Sequence, residues 1–233
     1  MSETTTLTSG NGFQWGSFDA YLFDIDGTLL NSRDWVHYNA FHVALEHVYH
    51  CNGRIDHVPL HGNTDIGILR AAARLCNLEG ERFEAPLREA LTLMGDEVER
   101  NAADLRPELC PSIRELLSVL SGDAKLLGVC TGNLQRIGWA KLKAAGVRDM
   151  FRVGAFSDHH EFRVDIFRDA MEQTHAQLGT AARICFVGDT PNDIQAAQQL
   201  NLPVLAVATG IYSLEALEQH RPTHCVTCCT ELL

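Results

Sequence analysis

Asp24 and Asp26 stand two residues apart in "YLFDIDGTLLNS", residues 21–32, where an apolar run ends. Two carboxylates this close repel each other unless a proton or a cation intervenes. The pair admits two readings: a turn, since Asp and Gly are turn residues, or a site at the carboxyl edge of a buried strand, where open parallel sheets bind ligands. "VCTGN" ends in Thr131, Gly132 and Asn133 ahead of a helical stretch. That is either an N-cap or, with the first amides of the helix, a phosphate cradle. "FVGDTPND" places Asp189 and Asp193 directly after another apolar run, with Pro191 opening a helix. If these runs are strands of one sheet, Asp24, Asp26, Asp189 and Asp193 converge on one edge. A hard cation with oxygen ligands relieves such a cluster, and octahedral Mg²⁺ with retained waters fits it.

The elements that must position these residues are legible as alternation. Short apolar runs occur at 20–23, 126–130, 184–187 and 204–207, with a weaker one at 153–156. Helical patterns separate the later runs: Ile113, Leu116, Leu117 and Leu120; a stretch after Asn133; then Ile166, Phe167, Ala170, Met171 and Thr174. The alternation predicts an α/β fold, a Rossmann-like parallel sheet between two helical layers. Residues 33–108 break it with three apolar stripes, carried by Phe41, Leu45 and Val48; by Ile66, Leu69, Ala72, Ala73 and Leu75; and by Phe83, Leu87, Leu91, Met94 and Val98. They predict an inserted all-helical cap at the carboxyl edge, a natural lid. The expected division is a flexible tail at 1–18, a core of 19–32 and 109–233, and a cap at 33–108.

The chain has 233 residues, 45% of them hydrophobic, and a net charge of −11. A sizeable core is affordable. The charge argues against broad binding to nucleic acid but leaves open a small anionic substrate in a local pocket. No apolar run approaches the ~20 residues of a membrane span, and "MSETTTLTSGNG" has no apolar signal core. The eight cysteines lie mostly in apolar runs and read as reduced, buried thiols of a cytoplasmic protein. His224, Cys225, Cys228 and Cys229 in "HCVTCC" include a zinc-like spacing, but no second CxxC completes a tetrahedral site. The segment also alternates like a last short strand. A monomer and a dimer are equally compatible with the sequence.

"DIDGT", "TGN" and "GDTPND", in this order, resemble the haloacid dehalogenase superfamily of phosphohydrolases, over residues 19–230. "VGDTPNDIQAAQ" and "AVATGIYSLEALEQH" are similar to its phosphoglycolate-phosphatase-like branch with a helical cap. The resemblance implies Mg²⁺-dependent hydrolysis of a small phosphorylated metabolite. Asp24 would attack phosphorus and form an aspartyl-phosphate. Asp26 would protonate the leaving oxygen and then activate water, and its backbone carbonyl would bind the metal. Asp189 would complete the protein ligands with Asp24, and Asp193 would stand behind them. Thr131, Gly132 and Asn133 would hold the phosphoryl oxygens.

One motif departs from the family pattern, which usually has a lysine, often followed by proline, ahead of the last motif. The chain has three lysines, Lys125, Lys141 and Lys143, and none lies there. In "EFRVDIFRDAM" Arg163 takes the basic position and Val164 replaces the proline. The planar fork of an arginine can neutralise both phosphate and a carboxylate.

Asp26 separates the chain from the dehalogenases, whose leaving group needs no proton. A sugar phosphomutase is the alternative, because His37, Ala40 and Phe41 resemble a mutase stretch. The mutase cap usually has an arginine three positions after a glycine. Here Asp65 follows Gly62 at that distance, so His37 reads as a helix-face residue. A phosphate-binding regulator without turnover would have little use for both Asp24 and Asp26. Candidates for substrate specificity are Arg33, His61, Asn63 and Thr64, the last equally an N-cap.

Overall fold

The computed structural model describes residues 13–233. Six parallel strands form the main sheet: β1 (Ala20–Phe23), β4 (Leu126–Cys130), β5 (Val153–Ala155), β6 (Ile184–Gly188), β7 (Val204–Val207) and β8 (His224–Val226), in the order β5-β4-β1-β6-β7-β8. Every residue of β1, β4, β6 and β7 is buried, as expected of a sheet covered on both faces. Helices α5 (Ile113–Gly122), α6 (Gln135–Ala144), α7 (Arg163–Leu178), α8 (Pro191–Gln199) and the short α9 (Leu214–Glu218) complete the core. The apolar runs read from the sequence coincide with these strands to within a residue.

The strand order decides where the chemistry goes. β1 pairs with β4 on one side and β6 on the other, so Phe23 stands beside Val129 and Val187. The residues that follow, from Asp24, Thr131 and Asp189, therefore emerge side by side at the carboxyl edge.

The cap enters and leaves through a small antiparallel ribbon, β2 (Leu30–Ser32) against β3 (Pro107–Leu109). Between them lie α1 (Val36–His47), α2 (Asp65–Leu75), the single turn α3 (Glu81–Glu84) and α4 (Leu87–Arg100). Their apolar stripes form a separate cluster around Phe41, Leu45, Leu69, Phe83 and Met94, which also takes in Leu134 and Ile137 of the core. Leu75 departs from its expected stripe and is exposed, at the last turn of α2.

Two expectations need correction. The tail was expected to run to residue 18, but Phe13, Trp15 and Phe18 are buried and pack into the core. Burying three aromatic rings offsets the ordering of that segment; residues 1–12 of the expected tail lie outside the described residues. The cysteines are not all free thiols, because Cys51 and Cys76 form a disulfide across the cap. That removes part of the support for the cytoplasmic reading. The "HCVTCC" residues follow the strand reading: they form β8 and a following turn in which Cys229 is buried in the core. Among the described residues the three-ligand grouping is Asp24, Asp189 and Asp193, not this cluster. No helix of the described residues is long and apolar enough to cross a membrane.

Candidate active site

Asp24 leaves β1 with its amide donating to the Val187 carbonyl at 2.9 Å, which ties it to β6. Gly27 adopts a φ of +84°, and a Cβ there would collide with the Asp189 carboxylate. The turn after β1 is thus shaped around the aspartate that ends β6. Thr28 Oγ1 donates to Asp189 Oδ1 at 3.1 Å.

α8 begins with a capping box. Thr190 accepts from the Asp193 amide, Pro191 occupies the first turn, and Asp193 Oδ2 accepts from the Thr190 amide at 3.0 Å and its hydroxyl at 2.6 Å. Asp193 is therefore a cap, but its other oxygen has a second partner: Arg163 Nε donates to Asp193 Oδ1 at 2.6 Å. Arg163 Nη2 lies 2.8 Å from Asp24 Oδ2 and 2.6 Å from Asp193 Oδ1. It is buried and makes no aligned hydrogen bond there. Arg163 thus sits against the Asp24 carboxylate, although it opens a helix rather than ending a strand.

Ligand atoms of Asp24, Asp189 and Asp193 fall within 4.8 Å of one another, all three residues buried. Burial pushes the Asp24 carboxyl up, with Asp193 and Asp26 adding to the push against the charge of Arg163. Asp189 is pushed up by burial, then by Asp193 and Asp24. One guanidinium does not balance this set. The donors are all oxygen, so the cluster fits a hard divalent cation.

Asp26 faces differently. Its side chain is open to the cavity, and Lys141 Nζ donates to its two oxygens at 2.8 and 2.7 Å. Asn133 Nδ2 donates to Asp26 Oδ2 at 2.8 Å, and Asn133 Oδ1 accepts from Lys141 at 2.8 Å. Burial would raise Asp26, but the Lys141 charge and hydrogen bonds, then His37 and Asn133, hold it below the usual carboxylate range. Lys141 is 2% exposed. It lies outside the segment where a lysine is expected. Its signal was a lysine at position i+4 from Ile137, on the buried stripe of α6 that starts just after Asn133.

Thr131, Gly132 and Asn133 line the same cavity as Asp24, but the first amides of α6 are engaged elsewhere. The Leu134 amide donates to Asp65 Oδ2 at 2.8 Å and the Gln135 amide to Asp158 Oδ2 at 2.7 Å. Two carboxylates already occupy the first amides of the helix. Thr131 remains at the edge, buried, its hydroxyl accepting from Asn133 Nδ2 at 2.7 Å. Gly132 serves the cap: its carbonyl accepts from the Asp65 amide at 2.8 Å, and a Cβ would collide with the Asn63 carbonyl.

A cavity of about 250 Å³ lies between core and cap, lined by Asp24, Asp26, Thr131, Lys141, Arg163 and Asp189 below and by His37, His61 and Asn63 above. Of the expected specificity residues, His61 and Asn63 line it, and two do not. Arg33 is exposed and pairs with Glu108 at 2.7 Å. Thr64 caps α2 and donates to the Glu161 carbonyl at 2.7 Å.

A family model described as haloacid dehalogenase-like hydrolase matches residues 21–207. The chain is 26% identical over 206 residues to a protein of Dickeya dadantii named "Probable phosphatase IndB", covering 86% of each. It is 28% identical over 201 residues to the phosphoglycolate phosphatase of Synechococcus elongatus, covering 85% of this chain and 87% of that one. The crystal structure of a predicted phosphatase from Clostridium acetobutylicum shares the fold, with a TM-score of 0.67 at 19% identity over 92% of this chain and 96% of that one.

Proposed function

Because the chain belongs to the haloacid dehalogenase-like hydrolase family, we propose that it hydrolyses small phosphate monoesters with Mg²⁺, through an aspartyl-phosphate on Asp24. The observation that carries this reading is the division of labour between the two aspartates of the first motif. Asp24 belongs to the buried oxygen cluster with Asp189 and touches Arg163. Asp26 is turned away onto Lys141 and Asn133. A nucleophile must be ionised and held, while an acid–base group must exchange protons off the cation.

Asp24 and Asp189 would hold Mg²⁺ with the Asp26 carbonyl, and Asp193 would support them by fixing Arg163. When bound, the cation neutralises phosphoryl charge and keeps Asp24 ionised. Arg163 Nη2, which lacks an aligned acceptor, would donate to a phosphoryl oxygen, and the Thr131 hydroxyl to another. Asp26 rests as a carboxylate on Lys141, which suits the second step, where it takes a proton from water. For the first step it needs a proton, and an arriving phosphoryl dianion favours its protonated form by like-charge repulsion.

The test is phosphate release from simple monoesters. Asp24→Asn should abolish it while leaving the fold intact. Chelator should stop it, and Mg²⁺, but not Ca²⁺, should restore it. Turnover by Asp24→Asn, or full activity in excess chelator, contradicts the reading. Isomerisation of a sugar phosphate faster than phosphate release would favour the mutase alternative.

A further inference from the structure

We propose that the leaving alcohol of the substrate carries no anionic group: it is a small neutral or ammonium-bearing alcohol, and a carboxylate or second phosphate is rejected. This rests on the phosphatase reading above and concerns the opposite wall of the same cavity. The core wall holds the cavity's cations, and both are committed. Arg163 lies against Asp24 and Asp193, and Lys141 against Asp26. The leaving group of an ester held there must face the cap.

The cap wall is acidic and aromatic. Asp34, Asp65, His37, Tyr38 and Phe41 line it. Asp34 and Asp65 are held by backbone amides: Asp34 accepts from Val36 at 3.0 Å and Arg106 at 2.7 Å, and Asp65 from Leu134 at 2.8 Å. These bonds fix both side chains in place at the cavity wall. His37 Nε2 lies 3.2 Å from Asp65, so any charge on the ring is balanced in place.

Arg33, Arg54 and Arg70 of the cap are committed to acidic partners away from the cavity lining. Arg33 pairs with Glu108, Arg54 with Asp56 at 2.6 Å, and Arg70 with Glu84 and Glu161. Among the described residues, no lysine or arginine of the cap lines the cavity. Residues 1–12 contain neither type. An anionic leaving group would thus meet two fixed carboxylates in a partly enclosed space, with no counter-charge to desolvate against. A hydroxyl or an ammonium meets acceptors and ring faces instead. The volume of about 250 Å³ keeps the alcohol small.

The experiment uses the Mg²⁺-loaded full chain at about pH 8, where histidine is mostly neutral. Three esters of matched size differ only at the far end: phosphoglycolate, 2-hydroxyethyl phosphate and 2-aminoethyl phosphate. p-Nitrophenyl phosphate reports on phosphatase chemistry alone. The hydroxyl and ammonium esters should each exceed phosphoglycolate in kcat/KM by roughly tenfold or more. His61 is exposed at the rim, so His61→Arg should fold, and it should raise the ratio of phosphoglycolate to 2-hydroxyethyl phosphate by roughly tenfold. Phosphoglycolate turned over as well as or better than the hydroxyl ester overturns the inference and leaves the phosphatase reading standing. A ratio unmoved by His61→Arg overturns the placement of the leaving group on this wall. No phosphate from any ester, p-nitrophenyl phosphate included, overturns the phosphatase reading and the inference with it.

Discussion

Two buried cations divide the site between them, and each predicts a different kinetic failure. Arg163 neutralises Asp24 and Asp193. Arg163→Ala removes the fixed charge that, on the proposed function, would face the phosphoryl group, and should lower kcat/KM by roughly 10²-fold or more. It also leaves two buried carboxylates without a counter-charge, at about 3–5 kcal/mol of stability in the absence of metal. Kinetics and a denaturant melt are therefore read on the same preparation. Arg163→Lys should recover part of both losses, because charge returns without the fork. Arg168→Ala should do neither, since Arg168 is half-exposed and, among the described residues, pairs with Asp165 on its own helix. If Arg168→Ala is the dead variant, Arg163 is not the cation that matters.

Lys141 grips both oxygens of Asp26 and so orients it toward the leaving oxygen, and Lys141→Met should fail selectively through that lost orientation rather than through the charge state of Asp26. Turnover of alkyl phosphates, whose leaving oxygen needs a proton, should fall by roughly 10²-fold. p-Nitrophenyl phosphate, whose phenolate leaves without one, should fall much less. Equal losses on both esters would mean that Lys141 serves binding or folding rather than the acid–base group.

At the scale of elements, strand ends were legible and turns of helices were not. Asp24 and Asp189 follow continuous apolar runs, and a residue after such a run must sit at a sheet edge. Which edges adjoin is a matter of topology: β1 between β4 and β6 is what brings Asp24, Thr131 and Asp189 together. Lys141 was harder to read because its approach to Asp26 needs the rotation of α6 about its axis at the second turn of that helix. The occupation of the α6 amides by Asp65 and Asp158 was harder still, since both acids come from other segments.

The cap disulfide belongs to the same class. Cys51 and Cys76 are 25 residues apart, and only the packing of α2 against the loop after α1 brings them within 6.2 Å between Cα atoms. That bond closes the segment carrying Ile55, Leu60, His61 and Asn63, which face the cavity. Closing a loop of this length stabilises a fold by about 2–4 kcal/mol, mainly through the unfolded chain. Cys51→Ala should therefore lower the urea midpoint under oxidising conditions, while excess reductant should bring the wild type to the same midpoint. A wild-type midpoint that does not move with reductant would show that the pair is not bonded in solution.

For the whole molecule, the acid cluster ties proton binding to stability and, on the proposed function, both to cation binding. Asp24 and Asp189 are raised from 3.8 to about 6 and about 8 when no cation is present. Between those limits the folded chain keeps protons that ordinary carboxylates of the unfolded chain have lost. The stability tied to these two groups is thus full below about pH 4 and is lost as pH rises through 6 and 8. Asp26 runs the other way, but its lowered value places its effect in more acidic solution, below 3.8.

A cation bound to Asp24 and Asp189 must displace those protons, so it competes poorly at low pH and well at high pH. Mg²⁺ that binds only the folded state raises stability by mass action. The rise in melting temperature caused by a fixed Mg²⁺ concentration should then be small near pH 5.5 and grow steadily to pH 8.5, about two pH units above the ordinary carboxylate range at its start. The net charge of −11 attracts cations to the surface as well, but surface carboxylates are already ionised throughout this window and add no such slope. Asp189→Asn separates the two contributions: it removes the residue with the larger shift, so the pH dependence of the Mg²⁺ effect should flatten while any surface contribution persists. A Mg²⁺ effect that is equally large at both ends of the window, or one that survives unchanged in Asp189→Asn, would place the cation somewhere other than the carboxyl edge of β1 and β6.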